Sequence, residues 1–586
     1  MKKKILLVYP EIPSTYWGMK HALAFINKKA STIPLGLITV AALLPSDYEL
    51  ELIDMNVSKL RRKDIIGCDL VMISAMIVQS TSFAEVVKLC RDCGVKVAAG
   101  GPYPTTSHKI IPDVDYFILN EAEITLAPFI RDFEAGSPEH VYSTFEKPDI
   151  TKTPVPRYDL LKIKKYNNLA LQNSRGCPFN CEFCDIIELF GRVPRLKTPS
   201  QFANELTAVY KTGFRGSVFI VDDNFIGNRS KVISLLEEII NWQKTYHKPF
   251  TFFTEASINL AADDEMLSLM KKAGFDMVFT GIETPDSVSL SGCHKTQNLK
   301  TDLLESVKKI QKNGIEVSAG FIVGFDSDKD DIFDRQIEFI QRSGVSMAMV
   351  GLLTALPGTQ LYRRLKEEGR LKESVAASGN NTHDLQMNFE PIMSESKLVD
   401  GYERILREVY SPKKYFERSA EFIRRLPSKK MSKFSFISYS EIRALFLSVI
   451  KQGFSSYGFR YLRFLVLTLF RNPGYFAQSV SISVKGYHFF KITKDIAIAK
   501  DFREQADSAV SVLRKRMHEI FEKTRVASLY DIDSISNEIR RCRKSLKKKY
   551  AGMNSDLKKY LEHLQHEFDV KTYEMIEKLS VFRAEL

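Results

Sequence analysis

Short apolar runs alternate with amphipathic stretches from the first residues onward. KILLVYP, ELELIDMN, DLVMISAM, VKVAAGG and DYFILNEAE read as buried strands, and segments such as SFAEVVKLCRDCG repeat their apolar positions with a helical period. This alternation predicts an α/β fold opening with a parallel, doubly wound, Rossmann-like sheet over residues 1–140. Ligands of such sheets lie beyond the carboxyl ends of the strands. There the sequence places Asp54-Met55-Asn56, Ser74-Ala75-Met76, Gly100-Gly101-Pro102 and Glu121-Ala122-Glu123. Paired glycines after a strand admit a bulky ligand close to the backbone, although a tight turn would use them as well.

Residues 136–165 are Pro-rich and irregular, which suits a linker over 141–165. The alternation then resumes with LALQNSRG, SVFIVDDNF, FTFFTEAS, MVFTGIET, EVSAGFIVGF and SMAMVGLLTALPG, separated by amphipathic helices such as KVISLLEEIINWQKTY. Six such strand ends suit a partial or full (β/α) barrel over 166–400, with its site at the C-terminal rim. Residues 401–500 change character and read as a mainly helical, basic aromatic domain. Residues 501–586 are Lys/Glu-rich with a helical pattern and read as a hairpin, a coiled coil or a solvated helical tail.

Composition sharpens only parts of this picture. The chain has 586 residues, 44% hydrophobic and 26% charged, ordinary for a globular protein. The apolar run after the basic start is too short for a signal peptide, and no window reaches the roughly 18 uncharged apolar residues of a membrane span. The expected compartment is the cytoplasm, where thiols stay reduced. The net charge of +13 is local: residues 411–500 hold 17 Lys/Arg against 4 Asp/Glu, whereas residues 1–410 hold 49 against 52. The same 411–500 segment carries 18 Phe/Tyr. Basic residues interleaved with aromatics suit a peripheral contact with the inner face of a membrane better than a nucleic-acid groove, and core packing is the competing account.

The candidate chemistry is concentrated in RGCPFNCEFCD, which places Cys177, Cys181 and Cys184 within eight residues. A zinc site needs a fourth Cys or His nearby, and none lies between 185 and 246. A disulfide would leave an odd thiol. Structural iron–sulfur clusters use four Cys. Three thiolates on one loop suit a 4Fe–4S cluster with one iron left open.

This loop resembles the cluster motif of the radical SAM superfamily, Cys-x3-Cys-x-aromatic-Cys, with Phe183 as the aromatic. The resemblance implies that S-adenosylmethionine chelates the open iron and is cleaved reductively to a 5′-deoxyadenosyl radical. It also implies an external one-electron reductant of flavodoxin or ferredoxin type. Asp222, Asp223 and Asn224 in VDDNF match the position where the family often binds the methionine ammonium; capping of the next helix is the plain alternative. Glu255 and Glu283 end the next two strands and would bond the ribose hydroxyls. Gly320 and Gly324 in GFIVGFD match the adenine-contact pattern.

The N-terminal unit resembles the cobalamin-binding domain of one radical SAM subfamily, with Asp54, Asn56, Ser74, Gly100, Gly101 and Glu121 as candidate contacts. The Asp-x-His-x-x-Gly signature is absent, since Asp54 is followed by Met55-Asn56-Val57. The resemblance therefore implies base-off cobalamin without a histidine from this motif. YPEIPSTYW, PLGLITVAALLP, FIVDDNFIG, TEASINLA, FTGIETPD, FDRQIEFIQ and GLLTALPGTQLYRRL, with the basic aromatic segment, look like the hopanoid methylase group. That group implies methyl transfer to an unactivated carbon of a polycyclic or isoprenoid lipid. A radical SAM cyclase or rearrangement enzyme, a tRNA methylthiotransferase and a non-catalytic lipid-surface scaffold are the competing functions.

Overall fold

The computed structural model describes residues 2–372, 385–428, 439–522, 529–553 and 555–585. It divides into two compact units, Met1–Phe490 and Lys491–Leu586.

The first unit opens with β1 (Lys4–Tyr9), β2 (Glu49–Asp54), β3 (Leu70–Ser74), β4 (Val97–Gly100), β5 (Tyr116–Ile118) and β6 (Val141–Tyr142). They form one sheet in the order β2-β1-β3-β4-β5-β6, with every neighbouring pair parallel. Alternate residues of β1 serve opposite cores: Leu6 and Val8 pack on one face, Ile5 and Leu7 on the other. A strand buried on both faces must be apolar throughout, which is why KILLVY shows no polar alternation. The last strand, β6, arises within the stretch expected to be an irregular linker.

A second parallel sheet begins at β7 (Leu169–Leu171). The short antiparallel pair β8 (Ser174–Arg175) and β9 (Arg195–Leu196) brackets the cysteine loop. The sheet continues with β10 (Gly216–Ile220), β11 (Phe250–Glu255), β12 (Phe275–Glu283), β13 (Glu316–Val323) and β14 (Ala348–Leu352). Among the described residues β14 does not pair with β7, so the barrel is partial.

The basic aromatic region is helical, through Glu395–Val409, Pro412–Arg425, Tyr439–Ser448 and Gly458–Arg471. Its core includes Arg418, which is 1% exposed and donates to the carbonyls of Val345, Ser346 and Val409. Burial pulls this guanidinium down to about 10, partly offset by the adjacent Tyr410 and Tyr415. The boundary expected at residue 500 falls inside one continuous helix, Phe476–Glu522. The second unit adds Leu529–Ala551 and Ser555–Glu585 around a core that includes Phe502, Leu513, Ile539, Leu561 and Phe568.

Two buried polar clusters join the first two sheets. Asp54 accepts from the Asn56 amide and side chain and, at 2.9 Å, from the Tyr166 hydroxyl just before β7. Glu121 accepts from Arg175 at 2.7 Å and from Arg195 at 2.7 and 3.0 Å, while Glu123 takes the other edge of the Arg175 guanidinium. The Glu121 side chain is 2% exposed. Removing one partner from such a cluster strands buried charge at a cost of about 3–5 kcal/mol. Glu121→Ala is therefore expected to lower the unfolding temperature of the purified protein markedly, and Glu85→Ala on an exposed helical face to leave it unchanged; thermal melts of the pair check this.

Candidate active site

The cysteine loop is placed by its first residues and gripped by later ones. Asp222 receives four hydrogen bonds of 2.7–3.1 Å, from the backbone and side chains of Asn173 and Ser174. Asp223 accepts from the Gly176 amide at 2.9 Å. Gly176 has φ +97°, and a Cβ there would stand 2.8 Å from the Gly191 carbonyl oxygen, so glycine is required where the chain turns into the loop. Farther along, the Glu182 amide donates to the Cys293 carbonyl at 3.0 Å and the Leu361 amide donates to the Glu182 carbonyl at 2.9 Å. Arg364 holds the Glu182 carboxylate at 2.6 Å.

Cys181 is buried and accepts from Gln297 Nε2 at 3.7 Å. Lys295 Nζ pairs with Glu283 at 2.7 Å and lies close enough to Cys181 and Cys184 to feel their charge. Burial pushes the Cys184 and Cys177 thiols up. Among the described residues no three His, Cys, Asp or Glu side chains converge on a single ion position. Cys181 lies near enough to both Cys177 and Cys184 for its charge to act on each, and three such thiols beside a buried lysine suit an iron–sulfur cluster.

Phe183, Cys184, Glu255, Glu283 and Gly320 all face one cavity of about 1430 Å³. Glu283 has φ +63° at a register shift in β12, and such a bulge at a strand end re-aims a side chain. Burial pushes the Glu255 carboxyl up to about 8, with the Asp223 charge adding to it. A Cβ on Gly281 would collide with the Glu283 carboxylate, and one on Gly320 would sit 3.1 Å from the Phe279 ring. Both positions need glycine because the neighbouring Glu283 and Phe279 side chains crowd the space a Cβ would take.

The other side of the cavity is made by the carboxyl ends of the N-terminal strands: Tyr9 and Glu11 after β1, Met55 and Asn56 after β2, Met76 and Ile77 after β3, and Pro102, Tyr103 and Thr106 after β4. Ser14 Oγ and Thr32 Oγ1 in the same wall are buried without hydrogen-bond partners. The space exceeds the roughly 300–1,000 Å³ of a single small-ligand pocket. Size, open polar atoms and position at strand ends fit cobalamin in this crevice.

Several expected contacts are used otherwise. Asp222, Asp223 and Asn224 do not line the cavity. The two aspartates hold the start of the cysteine loop, and Asn224 accepts from the Ser257 amide and hydroxyl. Burial, with a smaller push from Asp222 and Asp185, raises the Asp223 carboxyl to about 7 despite the Gly176 amide. Gly324 lies outside the lining and packs against Met387. In the N-terminal sheet Asn56 lines the cavity, whereas Asp54 and Glu121 are occupied by Tyr166 and the arginines. Ser74, Gly100 and Gly101 form a tight strand-end junction: a Cβ on Gly101 would stand 2.7 Å from Ser74 Oγ, and one on Gly100 2.7 Å from the Ile118 carbonyl oxygen. Sequence reasoning missed Lys295, Gln297 and Trp17, whose ring lies 4.9 Å from Phe279. The sequence carries no motif that singles out the first two.

Comparison with known proteins agrees with this geometry. Residues 173–340 match the Radical SAM superfamily, and residues 359–501 match a domain of unknown function (DUF4070). The chain is 40% identical over 496 residues to the uncharacterized methyltransferase sll1242 of Synechocystis sp., covering 83% of this chain and 91% of the relative. It is 34% identical over 423 residues to the hopanoid C-2 methylase of Rhodopseudomonas palustris, covering 71% and 78%. Among solved structures, the radical S-adenosylmethionine methyltransferase TsrM from Kitasatospora setae shares the fold, with a TM-score of 0.55 at 12% identity over 83% of this chain and 99% of that one. Three cysteines on a rim loop, two parallel sheets facing one cavity and these relatives together settle the family: the chain belongs to the radical SAM methyltransferases, with the hopanoid C-2 methylase among its relatives.

Proposed function

We propose that the protein transfers a methyl group to an unactivated carbon of a polycyclic or isoprenoid lipid. The observation that carries this reading is the wall of the cavity between the two sheets. Beyond the cysteine loop it is built from Phe219, Phe253, Phe279, Phe321, Met349 and Val350. Phe219 and Phe253 stack with centroids 4.5 Å apart, which stiffens this apolar face of the wall. A rigid fused-ring hydrocarbon fits such a face, and a similarity to a hopanoid C-2 methylase supports the same substrate class.

Cys177, Cys181 and Cys184 would hold the cluster, with S-adenosylmethionine beside Phe183 over Gly281 and Gly320. Cobalamin would lie against the carboxyl ends of β1 to β4, near Asn56, Met76 and Tyr103, with no histidine from the usual motif. When bound, the cluster and S-adenosylmethionine supply a carbon radical for hydrogen abstraction, and cobalamin supplies the methyl group. The remaining work belongs to the chain. Glu255 and Glu283 accept from hydroxyl groups at the rim. Lys295 balances the negative charge of Glu283 and the thiolates in a site where burial makes unbalanced charge costly. The aromatic wall keeps water and stray hydrogen donors from the reacting carbon. The electron comes from an external reductant of flavodoxin or ferredoxin type. A lipid substrate also places the work at or near a membrane surface.

Anaerobic turnover with trideuteromethyl-labelled S-adenosylmethionine and a hopanoid or other polycyclic isoprenoid is expected to yield a product carrying one trideuteromethyl group, read by mass spectrometry. Formation of 5′-deoxyadenosine with an isomerised or cyclised, unlabelled product would instead assign the protein to rearrangement chemistry. Gly320→Val pushes side-chain atoms against the Phe279 ring and toward the Glu283 carboxylate at the cavity wall. It is expected to raise the Kd for S-adenosylmethionine by at least about ten-fold while iron content stays at the wild-type level; equilibrium binding on the reconstituted protein checks it.

A further inference from the structure

We propose that the helical pair Tyr439–Ser448 and Gly458–Arg471 is the face on which the protein lies on an anionic lipid bilayer, and that the cavity opens beside it to receive the lipid from that surface. The inference rests on the lipid reading of the cavity and adds the route by which the substrate arrives.

The pair is fixed to the protein by one side only. Tyr461, Phe464, Leu465 and Thr468 recur at helical spacing and are buried, with Phe464 5.5 Å from Phe416. Tyr461 donates to Ser448 at 3.0 Å and ties the two helices together. Arg443 donates to the Ala24 carbonyl at 2.9 Å and fixes the first helix to the N-terminal segment. The opposite face is apolar as well. Of the 25 exposed large hydrophobic side chains among the described residues, ten lie between Ile442 and Phe470. Phe454 is 89% exposed, and Phe459 and Phe470 are each 79% exposed. A surface helix normally turns its polar side outward; one that also exposes a row of large apolar side chains has a second apolar medium to meet.

Charge identifies that medium. No Asp or Glu occurs from Ile442 to Lys494, a stretch with eight Lys or Arg. Arg460, Arg463 and Arg471 lie on the exposed side of the second helix, among the exposed phenylalanines. Large aromatics flanked by arginines, with Glu441 as the one acidic residue in the sequence of the two helices, match an interface with acidic headgroups above and acyl chains below. No helix among the described residues is long and apolar enough to cross a membrane, so the pair would lie in the interface. The same element borders the cavity: Ala444 and Leu445 line it, and Ile442 lines it while 55% exposed. Met19 and Leu23 line it as well. A polycyclic lipid could therefore pass from bilayer to cavity without exposing its rings to water.

Sedimentation of the full-length protein with vesicles of phosphatidylcholine alone, or mixed with phosphatidylglycerol, tests this. Wild type is expected to partition at least about ten-fold more strongly onto the mixed vesicles, with the excess lost in high salt. Phe459→Ser/Phe470→Ser is expected to lose vesicle binding while keeping wild-type circular dichroism, iron content and substrate-free cleavage of S-adenosylmethionine. Arg460→Gln/Arg463→Gln/Arg471→Gln is expected to remove only the preference for anionic vesicles. Absence of vesicle binding by wild type, or equal binding by the phenylalanine variant, overturns the proposal. So does a wild-type dimer that the phenylalanine variant breaks into monomers without any vesicle binding, which would give the face to a second copy. Vesicle binding without methylated product would leave the docking face standing and defeat the methyl-transfer reading, so the two failures are distinguishable.

Discussion

The arrangement of this protein depends on the buried carboxylate of Glu121 and the two guanidiniums it holds. Arg175 is the residue before the glycine that turns into the cysteine loop, and Arg195 stands where the chain leaves that region. Glu121 precedes the last long helix of the N-terminal sheet. One carboxylate therefore fixes the position of the cysteines relative to the strand ends of the other sheet. Because a parallel sheet offers ligand sites only beyond the carboxyl ends of its strands, two such sheets can share one cavity only if their ends face each other. The Glu121 and Asp54 clusters impose that orientation with polar groups that would be costly to bury in any other pairing.

Within the cavity, burial sets the chemistry. Burial holds the Glu255 carboxyl well above the usual carboxylate range, and the nearby Asp223 charge adds to it. Lys295 is the buried counter-charge, paired with Glu283 and close to two of the cysteines. The wall also carries aromatic and aliphatic side chains, among them Phe219, Phe253, Phe321 and Met349. Paired charge and apolar rings lining one space are what a site needs if a charged cofactor must react with a hydrocarbon.

The sheets and the cysteine loop were legible in the sequence for physical reasons. Strands buried on both faces must be apolar throughout, and three thiols crowded into eight residues stand out as a motif. Contacts made across long stretches of chain were not legible. Asp222 and Asp223 stand at the expected strand end, but their oxygens are taken by residues 173–176, which only folding brings near. Glu121 likewise stands at the correct strand end and is bound by arginines 54 and 74 positions later. Lys295 and Gln297 lie in a polar turn that no pattern distinguishes from a surface loop. Composition marked 411–500 as both aromatic and basic, but only the helical faces separate the rings packed around Phe416 from those left exposed.

The most direct test of the account is reductive cleavage of S-adenosylmethionine by anaerobically reconstituted protein, comparing wild type with Cys181→Ala. The account predicts 5′-deoxyadenosine from wild type and none from the variant, together with loss of the variant's 4Fe–4S absorbance. Undiminished 5′-deoxyadenosine formation by Cys181→Ala would contradict it.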